Sequence, residues 1–272
     1  MARQAKIPPA TTPADLRGQI LSDFAALKIP LRAQQFDTAL ARAEREGLSH
    51  LEFLHQLIGE QAGQRRERGI ARRVREACFR EEKTLATFDW QFNAKTIKRA
   101  QVEELATGEF IRRHDNLVMV GQSGVGKSHI VQAVGMEACA LGWRVHYKTS
   151  ADLLTDLRAS LADQTLPKRL RFYAKFDLLI IDEFGFDRLE RAESPQATNL
   201  LYKVIDSRNE RRSTALVTNI DFQAWDKYLG DEQLAMAMLD RIVDGAIIMK
   251  MAGKSYRANR AKHTKAEPSP GE

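Results

Sequence analysis

The chain has 272 residues, of which 43% are hydrophobic, and a formal net charge of +6. This length is sufficient for one large α/β domain with a smaller one beside it. No apolar run approaches the roughly 18 residues of a membrane span, and the polar segment 1–13 lacks the apolar core of a signal peptide. Cys78 and Cys139 are isolated, which excludes a disulfide framework and favours a reducing cytoplasm. The positive charge permits a polyanionic partner.

Beyond a flexible segment at residues 1–13, residues 14–84 have helical periodicity and are predicted to form a small all-α domain. Ser49 and Glu52 have the spacing of a capping box that opens one helix. Residues 64–83 carry eight Arg or Lys against four Glu, opposite an apolar stripe. Such a face is either a solvated charged surface or a binding site for the DNA backbone. The candidate DNA contacts are Arg65, Arg66, Arg68, Arg72, Arg73 and Arg75.

Residues 85–116 are predicted to connect the helical domain to a nucleotide-binding domain at residues 117–260. Three aromatic residues, Phe88, Trp90 and Phe92, lie close together in this connection. They either pack beneath the second domain or lie beside a bound adenine.

The most informative segment is a Gly-x-x-x-x-Gly-Lys-Ser motif that follows an apolar run. It predicts a strand ending at Val120, a tight turn, and a helix beginning near Lys127. The turn amides and the positive end of that helix form a cage for a polyphosphate. Lys127 can reach the β- and γ-phosphates of ATP, and the Ser128 hydroxyl can bind Mg²⁺. The predicted cage comprises Gly121, Gln122, Ser123, Gly124, Val125, Gly126, Lys127, Ser128 and the following His129.

A second apolar run, residues 176–181, ends in the acids Asp182 and Glu183. Runs of this kind are typical of buried parallel strands. Ligands bind at the carboxyl ends of such strands in open α/β sheets. We therefore expect Asp182 to hold Mg²⁺ and Glu183 to deprotonate the water that attacks the γ-phosphate.

The Gly-x-x-x-x-Gly-Lys-Ser motif, residues 121–128, is called the P-loop below. Strands and helices alternate after it, which predicts a mostly parallel sheet between two layers of helices. Ser194 and Pro195 are predicted to open a helix, and the tail at residues 261–272 is predicted to be disordered. The other predicted strands are 144–147, 213–219 and 246–251, and the helices are 152–161, 168–175, 195–211 and 229–243.

Two further residues are candidates for the ATPase site. One predicted strand lies between the P-loop and the strand that ends at Asp182 and Glu183, and another follows that strand. This arrangement is typical of the additional-strand ATPases. In that class Asn219 would contact the γ-phosphate or the attacking water; the alternative is an ordinary strand-ending Asn.

Arg241 ends an apolar helix. It is either a salt-bridge partner of Asp240 or Asp244 or an arginine finger for a neighbouring subunit, and its spacing alone does not decide between them.

The whole set of motifs resembles the IstB-like helper ATPases of bacterial insertion sequences, which are related to the DnaC helicase loaders of the AAA+ class. The resemblance covers about residues 15–260. Beyond the ATPase motifs it is carried by segments 49–54, 77–79, 83–90, 105–111, 217–219, 239–241 and 255–257. Gln122-Ser123 replaces a common Pro-Pro of that family, Ser128 replaces a common Thr, and Phe184-Gly185-Phe186 replaces a common Leu-Gly-Tyr.

This resemblance implies an AAA+ ATPase domain without a C-terminal lid, ATP and Mg²⁺ as cofactors, and ATP-dependent homo-oligomerisation on double-stranded DNA. It also implies delivery of the target DNA to a partner transposase, and it makes Arg241 the arginine finger. No second sensor arginine is assigned. The alternatives are a DnaC-like loader of a replicative helicase and a scaffold that binds nucleotide without hydrolysis. The intact Lys127, Asp182, Glu183 and Asn219 argue against the scaffold.

The residues from 250 to 266 form a second basic stretch without an acid. It includes Lys250, Lys254, Arg257, Arg260, Lys262 and Lys265. With no recognisable module for reading bases, we expect DNA binding to be directed at the backbone and weakly sequence-specific.

Overall fold

The structure is a computed structural model that describes residues 13–186 and 195–259. The predicted N-cap Ser194 and the predicted disordered tail lie outside these ranges. The chain divides into two compact units between residues 69 and 70. No helix among the described residues is long and apolar enough to cross a membrane.

The first unit is helical. It contains α1 (Pro13–Ala26), α2 (Ala33–Glu46) and most of α3 (His50–Ala77). Both hydrogen bonds of the predicted capping box are present: the Ser49 amide donates to Glu52 Oε2 at 2.8 Å, and the Glu52 amide donates to Ser49 Oγ at 3.3 Å. Arg17 joins α1 to α2 through two hydrogen bonds to the Asp37 carboxylate.

The second unit is built on a five-stranded parallel sheet with the strand order β2-β3-β4-β1-β5. This confirms the predicted sheet, with strand ends within three residues of their expected positions. The strands are β1 (Leu117–Gly121), β2 (Val145–Thr149), β3 (Leu178–Phe184), β4 (Ser213–Thr218) and β5 (Ile247–Met251).

Helices cover both faces of this sheet, which confirms the three-layer architecture. The helices are α4 (Arg99–Ala106), α5 (Glu109–Arg113), α6 (Lys127–Leu141), α7 (Ser150–Ala162), α8 (Leu166–Ala174), α9 (Pro195–Arg208), α10 (Trp225–Leu229) and α11 (Glu232–Val243). Alternate strand residues enter two hydrophobic clusters, because successive side chains on a strand point to opposite faces. Met119 packs in one cluster with residues of α4 and α6, whereas Val118 packs in the other with residues of α7, α9 and α11.

The segment at residues 85–116 contributes more to the core than a connection would. A 3₁₀ turn (Leu85–Thr87) is followed by α4 and α5. Val102, Leu105, Phe110 and Ile111 are buried in the same cluster as α6. Their spacing gives these short helices one apolar face each, and burial of that face accounts for their packing into the second unit.

Candidate nucleotide-binding site

The P-loop, Asp182, Glu183 and Asn219 meet at the carboxyl edge of the sheet. The P-loop follows β1, Asp182 and Glu183 lie near the end of β3, and Asn219 follows β4. Because β4 lies between β1 and β3, the parallel sheet brings these three segments together at its ligand-binding edge.

The P-loop glycines are required by close contacts as well as by backbone conformation. Gly124 and Gly126 have φ angles of +82° and +109°, a region that side chains other than glycine rarely adopt. A Cβ atom on Gly121 would lie 1.9 Å from the Met251 carbonyl oxygen. The loop therefore lies directly against the end of β5, which leaves no room for a side chain at position 121.

Lys127 begins α6 and is buried at the centre of the loop. Its Nζ donates to the carbonyl oxygens of Gly121 at 2.6 Å and Gln122 at 2.9 Å. Burial lowers the pKa of Lys127, and the Asp182 carboxylate opposes that shift. A buried ammonium whose hydrogen-bond partners are carbonyls is well suited to an anionic ligand such as a phosphate.

Asp182 is also buried, and each of its carboxylate oxygens accepts a hydrogen bond from a side chain. Ser128 Oγ donates to Oδ1 at 3.1 Å, and Tyr147 Oη donates to Oδ2 at 2.9 Å. A serine hydroxyl next to a carboxylate is the pair of oxygen ligands that Mg²⁺ uses in P-loop ATPases, so these residues fit the predicted cation. Tyr147 was not predicted, since a tyrosine within a strand has no local signal for a distant carboxylate.

Glu183 lies in a β-bulge. Ile181 pairs with Leu216, but Phe184 pairs with Thr218, so β3 contains one extra residue there. Glu183 has a φ of +59°, and its side chain is partly exposed. Its Oε1 accepts a hydrogen bond from Arg80 at 3.0 Å. A bulge re-aims side chains that would otherwise alternate, so Asp182 and Glu183 have different partners although they are adjacent.

The remaining predicted residues lie around this centre. Asn219 is exposed, and a Cβ on Gly185 would lie 3.2 Å from Asn219 Oδ1. Asn219 therefore lies next to Gly185, two residues after Glu183 in the chain. His129 Nε2 lies 2.9 Å from the Thr84 carbonyl oxygen, so it links α6 to the 3₁₀ turn.

The aromatic residues of segment 85–116 contact the P-loop side of this unit. Phe88 and Trp90 pack against the core cluster, with their ring centroids 4.8 Å apart. A Cβ on Gly126 would lie 2.9 Å from the Phe88 ring. Phe88 and Trp90 therefore pack against the core, which is the first of the two interpretations above. Phe88 also borders the P-loop.

The C-terminal segment supplies a feature that the sequence interpretation missed. The Tyr256 amide donates to the Gly124 carbonyl oxygen at 2.9 Å. Arg257 is exposed, and its positive charge contributes to the lowered pKa of Lys127. Arg257 belongs to the Ser-Tyr-Arg segment that contributes to the family resemblance, and this was the available signal. Its basic neighbours favoured its interpretation as a DNA contact instead.

Comparisons with known proteins decide the family. Residues 22–264 match the family described as IstB-like ATP binding protein. The chain is 33% identical over 231 residues to the ATP-binding protein of insertion sequence IS5376 from Geobacillus stearothermophilus, covering 85% of this chain and 90% of that one. It is 31% identical to the IS21 ATP-binding protein of Pseudomonas aeruginosa, covering 85% of each. This chain belongs to the IstB-like ATP-binding family.

Solved structures confirm the fold of this IstB-like protein. AMPPCP-bound DnaA from Aquifex aeolicus superposes with a TM-score of 0.53 at 20% identity, and the match covers 71% of this chain but only 57% of DnaA. The structure of DnaI gives a TM-score of 0.52 at 20% identity over 62% of this chain and 91% of DnaI. The IstB-like chain therefore shares the fold of DnaA and DnaI.

The candidate DNA-contacting arginines of this IstB-like protein have different surroundings. Arg65, Arg66, Arg68, Arg72 and Arg75 are exposed on α3. Arg73 is partly buried, and its Nε donates to the Cys139 carbonyl oxygen at 2.7 Å. Its guanidinium therefore caps the end of α6, which makes Arg73 a packing residue rather than a free cation.

Arg241 lies at the edge of the sheet opposite to the P-loop. Its carbonyl oxygen accepts a hydrogen bond from Asn116, the residue before β1. Its Nε donates to Asp206 Oδ1 at 2.6 Å, and its guanidinium lies over the Tyr202 ring. The ion pair is therefore with Asp206 of α9, and neither Asp240 nor Asp244 is the partner.

Proposed function

We propose that this protein is an ATP-dependent DNA-binding helper of transposition. It assembles on target DNA, hydrolyses ATP and delivers the target to a partner transposase. The observation that carries the proposal is a complete set of hydrolytic side chains in a chain whose relatives are ATP-binding proteins of insertion sequences.

In the proposed reaction, the P-loop amides and Lys127 hold the β- and γ-phosphates. Ser128 and Asp182 would hold Mg²⁺, which neutralises phosphate charge when bound. Glu183 orients a water and accepts its proton while the water oxygen attacks the γ-phosphorus. The bond from the γ-phosphorus to the β,γ-bridging oxygen breaks, which yields ADP and phosphate.

Three other side chains complete the proposed site. Asn219 lies beside Gly185 and would hydrogen-bond the attacking water or the γ-phosphate. Arg257, near Lys127, adds positive charge for the phosphates. Arg241 cannot serve its own P-loop, since the length of β1 separates them, about 16 Å at 3.3 Å per residue. We propose that Arg241 acts as an arginine finger for the next subunit, which makes assembly a requirement for hydrolysis.

The proposed DNA surface is the exposed arginine set of α3. Arg65, Arg68, Arg72 and Arg75 are spaced by three or four residues, so they follow one stripe of the helix. A stripe of guanidinium groups fits the regular phosphates of duplex DNA and carries no base-reading geometry.

A helicase loader is the second candidate function, because the motifs of this chain also resemble those of the DnaC helicase loaders. Two assays separate the candidates. In the first, the transposase encoded by the same insertion sequence is tested for target insertion with wild-type protein, Lys127→Ala protein or none. In the second, the same three preparations are tested for loading the host replicative helicase. Insertion that requires wild-type protein supports our proposal, whereas helicase loading without any effect on insertion overturns it.

A further inference from the structure

Asn93 forms a reciprocal pair of hydrogen bonds with the backbone just after the last strand. Its Nδ2 donates to the Lys254 carbonyl oxygen at 3.1 Å, and the Lys254 amide donates to its Oδ1 at 3.2 Å. Thr96 Oγ1 donates to the Ala252 carbonyl oxygen at 2.5 Å. The Asn93 side-chain amide thus satisfies both backbone hydrogen-bonding groups of Lys254.

The surrounding chain is shaped to allow this contact. Gly253 has a φ of +137°, and a Cβ there would lie 2.3 Å from Asn93 Oδ1. Any other residue would strain the backbone and push the amide away. Gly253 and Asn93 are therefore complementary parts of one junction.

Beyond this junction the chain reaches the P-loop. The Tyr256 amide donates to the Gly124 carbonyl oxygen, and the Tyr256 ring packs edge-on against Phe92 at 5.1 Å. A Cβ on Gly124 would lie 2.2 Å from Ser255 Oγ. The same hydroxyl accepts a hydrogen bond from the Ala258 amide at 3.3 Å, which opens the helical turn that carries Arg257.

We propose that Asn93 is a positioning residue of the nucleotide site. Its amide latches the segment Ala252–Arg257 onto the P-loop and so holds Gly124 and Arg257 ready for the phosphates of ATP. This inference rests on the proposed role of the P-loop and Arg257 in binding ATP.

The charges at this junction predict how ATP affects the position of residues 252–257. Burial is the main cause of the lowered pKa of Lys127, and repulsion by the positive charge of Arg257 adds to it. Bound phosphates attract both cations, so ATP should favour the latched segment. By reciprocity, a chain that keeps the segment latched binds ATP more tightly.

Asn93→Asp is the sharpest test, because the carboxylate has the same shape and can accept from the Lys254 amide but cannot donate to its carbonyl oxygen. Thr96→Val removes the second bond of the latch, and Thr96→Ser retains it as a matched control. We expect Asn93→Asp to weaken ATP binding about tenfold, Thr96→Val to weaken it less, and Thr96→Ser to leave it unchanged. Titration calorimetry with ATP measures these affinities.

A double variant separates positioning from general damage. If the latch acts through Arg257, Asn93→Asp should weaken ATP binding much less in an Arg257→Ala background than in the wild type. Full additivity of the two changes, or unchanged ATP affinity of Asn93→Asp, would overturn the proposal.

Hydrogen exchange of residues 252–259 without nucleotide reports the latch independently of ATP. Protection should fall in Asn93→Asp and stay intact in Lys127→Ala, and unchanged protection in Asn93→Asp would overturn the latch. Failure of the wild-type protein to bind ATP, with exchange still sensitive to Asn93→Asp, would overturn the role in ATP binding and leave the junction as a structural contact.

Discussion

At the scale of single residues, Lys127 and Glu183 occupy different parts of the site. Lys127 is buried within the P-loop, whereas Glu183 is partly exposed on a bulge beside Arg80. Lys127→Ala should abolish ATP binding, because the phosphates lose their direct counter-ion. Glu183→Gln should bind ATP normally and lose turnover by about a hundredfold or more, as expected for removal of a general base. ATP binding and phosphate release are measured for both. Normal turnover by Glu183→Gln would show that another group is the base.

Tyr147 makes a separate prediction about Asp182. Removing its hydroxyl takes away the donor that orients Oδ2, so Tyr147→Phe should raise the Mg²⁺ concentration for half-maximal ATPase activity by about tenfold. Tyr173→Phe is the matched control, since Tyr173 is equally buried and donates to Asp156 away from the site. Steady-state ATPase assays across a Mg²⁺ series measure the effect. Equal Mg²⁺ dependence in the two variants would contradict a role for Tyr147.

These residues also show what sequence patterns can and cannot predict. The positions of Lys127, Ser128 and Asp182 at one sheet edge could be predicted, because a phosphate-binding motif places particular residue types at fixed positions next to a strand. Tyr147, Arg80 and Asn93 could not, because each acts through a partner far along the chain. The bulge at Glu183 has no local signal either, as it depends on the pairing of β3 with β4.

At the scale of elements, α3 combines a packing role with a charged surface. We expect the exposed arginines to bind duplex DNA through its backbone, with a log–log salt slope of about −0.9 per phosphate contact. Replacing Arg65, Arg68, Arg72 and Arg75 with Ala should reduce the steepness of that slope and weaken binding for all sequences alike. Fluorescence anisotropy across a salt series measures both quantities.

The controls distinguish a specific surface from net charge. Arg99 and Arg112 are exposed, paired with acids of their own helices and outside α3. Their replacement should change the slope little. Arg73→Ala should lower thermal stability because the Cys139 carbonyl oxygen loses its donor. A slope that falls equally for the Arg99 and Arg112 variant would contradict assignment of the DNA surface to α3.

The elements themselves were largely predictable, since strands and helices alternate with clear changes in hydrophobic period. The predicted structure was less complete where contacts between distant parts of the chain determine which residues are buried. Residues 85–116 form buried helices that their length and position did not reveal. Arg208 is fully buried and donates to the carbonyl oxygens of Tyr173, Phe176 and Ser213, and burial lowers its pKa to about 9. A helix-ending arginine is ordinarily exposed, so nothing local predicts this position.

At the scale of the whole molecule, the proposed arginine-finger role of Arg241 links hydrolysis to assembly. Arg241→Ala should keep its ATP affinity and lose turnover by about 10³-fold or more. Mixing it with Lys127→Ala protein should restore part of the activity, because an intact P-loop of one subunit can then face an intact Arg241 of another. ATPase assays of the mixture at varied ratios measure this.

Asp206→Asn provides the control for Arg241. It removes the ion pair within the subunit but keeps the guanidinium, so a trans role predicts that turnover is largely retained. An inactive mixture of co-assembling variants, or loss of activity in Asp206→Asn equal to that in Arg241→Ala, would indicate that the Asp206 ion pair is the main role of Arg241.

The proposed function requires that ATP drives assembly of this protein on duplex DNA. Electron microscopy of the protein with duplex DNA, with and without ATP, tests it most directly, and Glu183→Gln serves as the variant that retains ATP. We predict ordered oligomers on DNA only when ATP is present, and more of them with Glu183→Gln. Identical particles with and without ATP, or monomers under every condition, would show that ATP does not drive assembly on DNA.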